Sequence, residues 1–240
     1  MDGGPLATTF KIVLVGPSGV GKSTLVTRYV GTYCEEMAPV ATLGVDYSIH
    51  THIADDGTRY SVQLWDTSGA ARFEPIVRSY FPGAHAIVAV VDLAALEYDA
   101  AGNDAVVVAR QHLAALYSAL AIIDVSRRDP PIVYVVGNKA DLVTDAPFDS
   151  LVSRSALRHH AAAVHGTYID CSARTGFQST AAIDAIVAAL IADATRKRAQ
   201  LTRATVPRPR APDWARAPWT EGLATAADTG GLSCYCCYAQ

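Results

Sequence analysis

The sequence lacks any long apolar run, since no stretch reaches the roughly 18 residues that a membrane-spanning helix needs. Its first residues, MDGGPLATTF, also lack the basic segment and the apolar core of a secretory signal. We therefore expect neither a membrane span nor a signal peptide, and a protein that is made and kept in the cytosol.

Cysteine is scarce: the 240 residues contain five, and three of these lie within the last seven positions. An odd number in a chain without a signal peptide does not indicate a disulfide framework. Charged residues make up only 18% of the chain and hydrophobic residues 50%, which excludes general disorder and allows a sizeable core. The length fits one domain with appendages, or at most two small domains.

Charge is unevenly distributed. Residues 196–240 contain seven Lys or Arg against three Asp or Glu, a net charge of +4, which leaves −7 for residues 1–195 of a chain whose total is −3. An acidic body argues against nucleic-acid binding. The basic tail fits contact with an anionic membrane surface, although a solvated helix end and linker would have the same composition.

Short apolar or alternating runs predict strands, and longer amphipathic stretches predict helices. The strand predictions are residues 10–15, 45–53, 59–65, 86–92 and 132–137, with a hairpin turn at Asp55-Asp56-Gly57. The helix predictions are residues 22–30, 104–122, 150–164 and 178–198. This alternation indicates an α/β fold, a doubly wound and mostly parallel sheet with helices on both faces. From about Thr202 the sequence is rich in Pro and Arg without a period, which indicates a flexible tail.

A glycine-rich loop follows the first strand and opens the first helix. Residues 16–23 (GPSGVGKS) match the pattern G-x-x-x-x-G-K-[ST], in which backbone N–H groups surround phosphates. Lys22 would reach the outer phosphates and the Ser23 hydroxyl would hold Mg²⁺. The alternative is a glycine turn that only happens to precede a helix. The predicted phosphate contacts are Ser18, Gly19, Val20, Gly21, Lys22, Ser23 and Thr24.

Two further motifs specify the nucleotide. Asp66 ends a predicted strand, as expected for the carboxylate that supports Mg²⁺, and Gly69 offers a backbone N–H to the γ-phosphate. Residues 138–141 (NKAD) follow the fifth predicted strand. The Asp141 carboxylate can accept two N–H bonds from guanine, whereas adenine has no matching pair of donors. Together with the glycine-rich loop, Asn138, Lys139 and Asp141 predict a guanine nucleotide.

These motifs resemble those of the Ras superfamily of small GTPases, and of the Rab family in particular. The resemblance spans about residues 8–195, and it implies a six-stranded P-loop NTPase fold that binds GTP, GDP and Mg²⁺. Its further motifs are residues 42–47 (TLGVDY, switch I), 65–73 (WDTSGAARF, switch II), 79–85 (SYFPGAH) and 171–174 (CSAR).

The resemblance implies roles for single residues. Thr42 would coordinate Mg²⁺ and touch the γ-phosphate, while Ser172, Ala173 and Arg174 would surround the base. The aromatic residues on which Rab effectors dock match Tyr47, Trp65 and Tyr80, for which ordinary partial burial is the alternative.

By the same match, Ala70 occupies the position of the glutamine that orients the attacking water. Alanine has no donor or acceptor, so of the predicted catalytic set only Lys22, Thr42 and Gly69 keep their chemistry. We expect slow hydrolysis that an activating protein completes, or else a non-hydrolysing, GTP-bound interaction module. Ser68 is the one obvious local substitute, and it is poorly placed in the sequence. A Ras-type signalling GTPase is a more distant alternative.

The last residues, CCYAQ, hold Cys236 and Cys237, which resemble the paired cysteines that Rab proteins carry for double geranylgeranylation. The final four residues also fit a loose C-a-a-X box. A zinc site is the alternative, but closely spaced thiols without a histidine cannot easily surround zinc tetrahedrally. The resemblance implies an exchange factor, a GTPase-activating protein, a Rab-escort or GDI-type chaperone and effectors. It places the protein on the cytoplasmic face of an intracellular membrane, cycling with the cytosol.

We therefore predict a short extension at residues 1–9, a GTP-binding domain at 10–200 and a tail at 201–240. The chain departs from the family in a longer switch I loop, where either Tyr33 or Cys34 takes the place of the aromatic residue that stacks on guanine. Extra loop length is expected near residues 97–103 and 124–130. The histidines His159, His160 and His165 are interpreted as surface residues. The sequence indicates no group of catalytic or ligating residues around Arg110 and His112.

Overall fold

The computed structural model describes residues 8–35, 41–97, 109–110, 112–122, 129–143 and 149–205. The chain divides into two compact units, Met1–Arg196 and Lys197–Gln240. The domain boundaries expected near residues 9 and 200 stay predictions. Residues 98–108 and 123–128, which hold most of the two expected extra loops, lie outside the described residues.

Six strands and six α-helices have their bounds within the described part of the chain, and Ala109, Arg110 and His112 are also helical. The strands are β1 Thr8–Val15, β2 Val45–Ile53, β3 Arg59–Thr67, β4 Ala86–Asp92, β5 Ile132–Asn138 and β6 Thr167–Asp170. The helices are α1 Lys22–Val30, α2 Glu74–Arg78, α3 Leu93–Glu97, α4 Ala114–Ile122, α5 Asp149–Ala163 and α6 Ser179–Thr205. Short 3-10 turns occupy Ala71–Phe73 and Ala140–Leu142.

The strands form one sheet in the order β2-β3-β1-β4-β5-β6. Only β2 and β3 pair in antiparallel fashion, and the turn that joins them is closed by a bond from Gly57 N to Ala54 O of 2.8 Å. The other pairs are parallel, which confirms the mostly parallel six-stranded sheet. The sequence patterns located five of the strands and missed β6, because its four residues (TYID) give neither a continuous apolar run nor a regular alternation.

Apolar residues cover both faces of the sheet. Alternate residues of β1 point to opposite faces. Val13 and Val15 join a buried cluster that includes Leu116 of α4, whereas Ile12 and Leu14 join a second cluster with residues of α1 and α6. This arrangement confirms the doubly wound architecture.

The interpretation of His160 as a surface residue was wrong. His160 of α5 is only 7% exposed, and its Nδ1 lies 2.7 Å from the Tyr117 hydroxyl of α4. It therefore fills the contact between two helices, while its neighbour His159 is exposed as expected. Sequence position alone did not show which side of α5 faces the sheet.

The parallel strands end at the same edge of the sheet. The glycine-rich loop follows β1, Asp66 and Thr67 end β3, Asp92 ends β4 and Asn138 ends β5. Ligands of open α/β sheets bind outside the carboxyl ends of the strands, so this edge gathers the predicted site. Among the described residues, no helix combines the length and apolar character needed to cross a bilayer.

Candidate nucleotide-binding site

The loop between β1 and α1 has a backbone that only glycine allows at its first position. Gly16 has a φ of 143°, and a Cβ at this position would lie 2.2 Å from the carbonyl oxygen of Val90. Gly21 has a φ of 95° and precedes α1. The loop therefore turns tightly against β4 and delivers the chain into the N-terminus of α1, where helix polarity favours an anion.

Lys22 lies beneath this loop and is 5% exposed. Its Nζ donates to Gly16 O at 2.9 Å and to Pro17 O at 2.8 Å. Burial lowers the pKa of Lys22 to about 8, against an opposing effect of the Asp66 charge. An ammonium that two loop carbonyl oxygens hold at the N-terminus of α1 suits the terminal phosphates of a nucleotide.

Ser23, Thr42 and Asp66 meet beside Lys22, although they come from α1, switch I and β3. Ser23 Oγ donates to Asp66 Oδ2 at 2.5 Å and lies 2.8 Å from Thr42 Oγ1. Thr42 Oγ1 in turn lies 3.3 Å from Asp66 Oδ2. Three oxygen ligands predicted from separate parts of the sequence are thus in mutual contact.

The donor set fits a small, hard cation. Asp66 is 4% exposed, and its Oδ1 is buried without a hydrogen-bond partner among the described residues. Burial raises the pKa of Asp66, partly offset by Ser23, Lys22 and Thr42. A buried carboxylate oxygen beside two hydroxyls is the type of ligand that Mg²⁺ prefers, and the cation's charge would compensate the cost of burying the carboxylate.

The switch II loop lies directly on the glycine-rich loop. A Cβ on Gly69 would fall 2.2 Å from Ser18 N and 2.2 Å from Pro17 C. Ser68 N donates to Gly44 O at 2.7 Å, which joins switch II to switch I. Ala70 follows with a methyl side chain, and its own N lies 3.4 Å from Ser68 Oγ.

The predicted base-recognition residues form one hydrogen-bonded group. Ser172 Oγ lies 2.5 Å from Asp141 Oδ1, and Ala173 N donates to Asn138 Oδ1 at 2.9 Å. Asn138 Nδ2 donates to Val20 O of the glycine-rich loop at 2.7 Å. Lys139 Nζ pairs with Asp92 Oδ2 at 2.6 Å. The motifs that lie far apart in the sequence therefore share one edge of the sheet.

Thr24, the last predicted phosphate contact, lies in the first turn of α1, where its carbonyl oxygen accepts a bond from the Thr27 hydroxyl at 3.1 Å.

Arg28 was missed by the sequence analysis, yet it joins switch I to the base loop. Its Nε donates to Ala173 O at 3.0 Å, and its guanidinium also bonds Arg174 O. The same guanidinium lies 3.7 Å from the ring centroid of Tyr33. The Arg28 guanidinium therefore contacts both Tyr33 and the base loop, while Cys34 is exposed. No local pattern could have revealed a pairing across 145 residues.

Residues 11–192 match the Ras family. The chain is also 33% identical over 183 residues to Ras-related protein Rab-1 of Theileria parva, an alignment that covers 75% of this chain and 74% of the relative. Ras-related protein Rab-1 of Theileria annulata gives the same identity and coverage. The chain belongs to the Ras family. Within it the chain is a Rab-type small GTPase, an enzyme that binds GTP and GDP.

In this small GTPase the predicted aromatic trio is contiguous. The ring centroid of Trp65 lies 4.8 Å from that of Tyr47 and 5.2 Å from that of Tyr80. Lys11, which the sequence analysis did not single out, places its Nζ 4.8 Å from the Trp65 ring centroid and donates to Pro82 O at 3.0 Å. Tyr47 is 41% exposed, so the trio presents an aromatic surface next to both switches. Cys236 and Cys237 lie outside the described residues.

Proposed function

We propose that this small GTPase is a membrane-associated switch in vesicle traffic that hydrolyses GTP slowly unless a partner completes its site. The observation that carries the proposal is the position of Ala70. Gly69 lies against the glycine-rich loop, and in the proposed site the next side chain would stand where a water attacking the γ-phosphate is oriented. That side chain is a methyl group.

The remaining parts of the site support nucleotide binding. Lys22 and the loop amides would hold the β- and γ-phosphates, and Ser23, Thr42 and Asp66 would hold Mg²⁺. When bound, the cation would neutralise charge on the phosphate oxygens. Thr42 and the Gly69 N–H would both bond the γ-phosphate, so loss of that phosphate would release switch I and switch II together.

Guanine selectivity is assigned to Asp141, with Asn138, Lys139, Ser172, Ala173 and Arg174 forming its surroundings. Asp141→Asn places an amide N–H₂ against the amino group of guanine. We expect the affinity for GDP to fall by about 100-fold, since a buried site that loses a matched donor–acceptor pair discriminates strongly. Asp129→Asn, a change at a surface residue outside the site, serves as the matched control in the same fluorescence titration.

The proposed slow hydrolysis of GTP is tested by single-turnover assays on the full chain, loaded with GTP in excess Mg²⁺. Ala70→Gln restores an amide that can orient water, and we expect the rate constant to rise by at least about tenfold. Ala71→Gln places the same side chain one position further along and should leave the rate unchanged. A wild-type rate equal to that of Ala70→Gln would contradict the proposal.

The name Rab-1 of the relatives supports partners of the kinds that Rab proteins use: an exchange factor, an activating protein, a GDI-type or escort chaperone and effectors on the Tyr47, Trp65 and Tyr80 surface. Membrane attachment through prenyl groups on Cys236 and Cys237 places the protein on the cytoplasmic face of an intracellular membrane, cycling with the cytosol. Two lipids, or one lipid with a basic patch, give stable anchoring. Mass spectrometry of the chain purified from a prenylating host, compared with a double Cys→Ser variant at 236 and 237, tests this attachment.

A non-hydrolysing, GTP-bound interaction module remains the second candidate, and Ala70 is the observation that favours it. The two candidates differ in the fate of bound nucleotide. A slow hydrolase converts loaded GTP to GDP over hours, and a Rab-directed activating protein speeds the conversion. A scaffold retains GTP under both conditions.

A further inference from the structure

A cavity of about 250 Å³ adjoins the position where the catalytic glutamine is missing. Its walls come from the glycine-rich loop, the segment after β3, α2, α4 and the helical turn before α4. Gly16, Pro17, Gly69 and Ala70 form one side, and His112 lies among the residues of the other. Most of the lining is apolar, but Ser68, Glu74, His112 and Ser118 also lie in it, and a space of this size has room for several water molecules.

The helical turn that carries His112 is held by two backbone hydrogen bonds of its neighbour Leu113. Leu113 N donates to Ala109 O at 3.0 Å, and Tyr117 N donates to Leu113 O at 3.1 Å. Leu113 itself is 1% exposed and anchors this turn in the core. His112 is therefore on a fixed element, and it is half-buried at the cavity wall.

The hydroxyl groups that line the cavity are already committed. Thr67 Oγ1 donates to Leu14 O at 2.6 Å, and Ser68 Oγ lies 3.4 Å from Ala70 N. Ser118 Oγ lies 3.4 Å from Glu74 Oε1. These contacts leave them poorly placed to orient a water at Ala70.

Glu74 is the one carboxylate among the described residues of the lining, and its ion pair disfavours it as a proton acceptor. Its Oε1 lies 2.6 Å from Arg78 Nη2, and Arg78 lowers the pKa of this carboxyl below its ordinary value. An imidazole differs from these groups because it has two ring nitrogens, so it can keep one partner and still bond a water through the other.

We propose that His112 is a positioning residue of the GTPase reaction, acting through water in this cavity at the place where Ala70 provides no polar side chain. The water oxygen forms a bond to the γ-phosphorus, and the bond from phosphorus to the bridging oxygen breaks. GDP leaves with that electron pair, and the proton of the water ends on the phosphate products. His112 restricts where the water stands. The inference rests on the proposed slow hydrolysis and names His112 as the residue that positions the water for it.

The test is a double-mutant cycle between positions 112 and 70, measured as single-turnover GTP hydrolysis on the full chain in excess Mg²⁺. His112→Ala removes the imidazole, and His112→Phe keeps a ring of similar width without nitrogen. Both should lower the rate constant about three- to tenfold, the factor expected for one hydrogen bond. In the Ala70→Gln background, where glutamine orients the water, the same changes should alter the rate by less than about twofold. His159→Ala, a change at an exposed histidine, is the matched control.

Each outcome bears on the inference. Equal losses in both backgrounds would show a structural role, and unchanged rates in His112→Phe would remove the imidazole from the reaction. Undetectable hydrolysis by the wild-type chain would also overturn it. GDP affinity and thermal unfolding are measured for each variant to identify a folding defect. If His112→Ala has such a defect, the hydrolysis rate of His112→Phe decides the test. Failure of the proposed function looks different, because it appears as a wild-type rate equal to that of Ala70→Gln.

Discussion

The side chain of Asn138 donates from Nδ2 to the carbonyl oxygen of Val20 at 2.7 Å, across 118 residues of sequence. The same amide accepts a bond from Ala173 N at 2.9 Å through Oδ1. It is 2% exposed, so both bonds are shielded from water. One side chain thus joins the loop that surrounds the phosphates to the loop that surrounds the base.

Asn138→Ala should therefore weaken both the fold and nucleotide binding. It leaves Val20 O and Ala173 N buried without this partner, which costs about 1–3 kcal/mol for each group left unsatisfied. We expect a lower thermal midpoint and faster release of fluorescent GDP, measured by stopped flow. The exposed-site variant His159→Ala should change neither. Unaltered GDP release by Asn138→Ala would show that the two loops are held independently.

Gly69 is predicted to be irreplaceable for the GTP-bound arrangement. In Gly69→Ala the added methyl would meet the backbone of Pro17 and Ser18, so the loop must move away from the glycine-rich loop. Loss of one N–H bond to a charged phosphate should reduce the ratio of GTP to GDP affinity by about tenfold.

The control for Gly69 is Gly57→Ala. Gly57 lies in the β2–β3 turn with a φ of 79° and has no heavy atom near the added methyl. This variant should lose stability and keep its ratio of GTP to GDP affinity, as measured by displacement of fluorescent GDP. An unchanged ratio in Gly69→Ala would indicate that the γ-phosphate does not depend on this amide.

The fold and the nucleotide motifs were predictable because each depends on local sequence. The glycine-rich loop, Asp66 and the NKAD segment each carry their chemistry in a few adjacent residues, and short apolar or alternating runs predicted five strands. Arg28 and Lys11 were missed because their roles arise from contacts across the fold. His160 was misjudged for the same reason, since burial on α5 depends on α4 packing beside it.

The two described cysteines are predicted to differ in reactivity. Burial, together with the Asp170 charge, raises the pKa of the Cys171 thiol to about 12, and Cys171 is fully buried beside Asn138. Cys34 is exposed. At pH 8, iodoacetamide should modify Cys34 and spare Cys171, because only an accessible thiolate reacts.

Peptide mass spectrometry separates the two sites and the tail cysteines. Modification of Cys171 should appear only in denaturant or at strongly alkaline pH. The sign follows from the raised pKa: the unfolded chain releases this proton first, so a rise in pH above about 9 favours unfolding. Equal modification of both cysteines at pH 8 would contradict the buried position of Cys171.

Asp66 is predicted to make nucleotide retention depend on Mg²⁺. Its buried Oδ1 lacks a protein partner among the described residues, while Oδ2 is held by Ser23. Asp66→Asn keeps the size of the side chain and removes the charge, so the site loses the ligand that a hard cation requires.

In the wild-type chain, EDTA should speed GDP release at least about tenfold, since it removes a charged partner of the phosphates. In Asp66→Asn the release should already be fast, and EDTA should change it little. Asp56→Asn, in the exposed β2–β3 turn, should retain the full response to EDTA. An equal response to EDTA in Asp66→Asn and in the wild-type chain would contradict this site. Asp66 is the carboxylate that contacts Ser23 and Thr42, so the cation would then bind elsewhere.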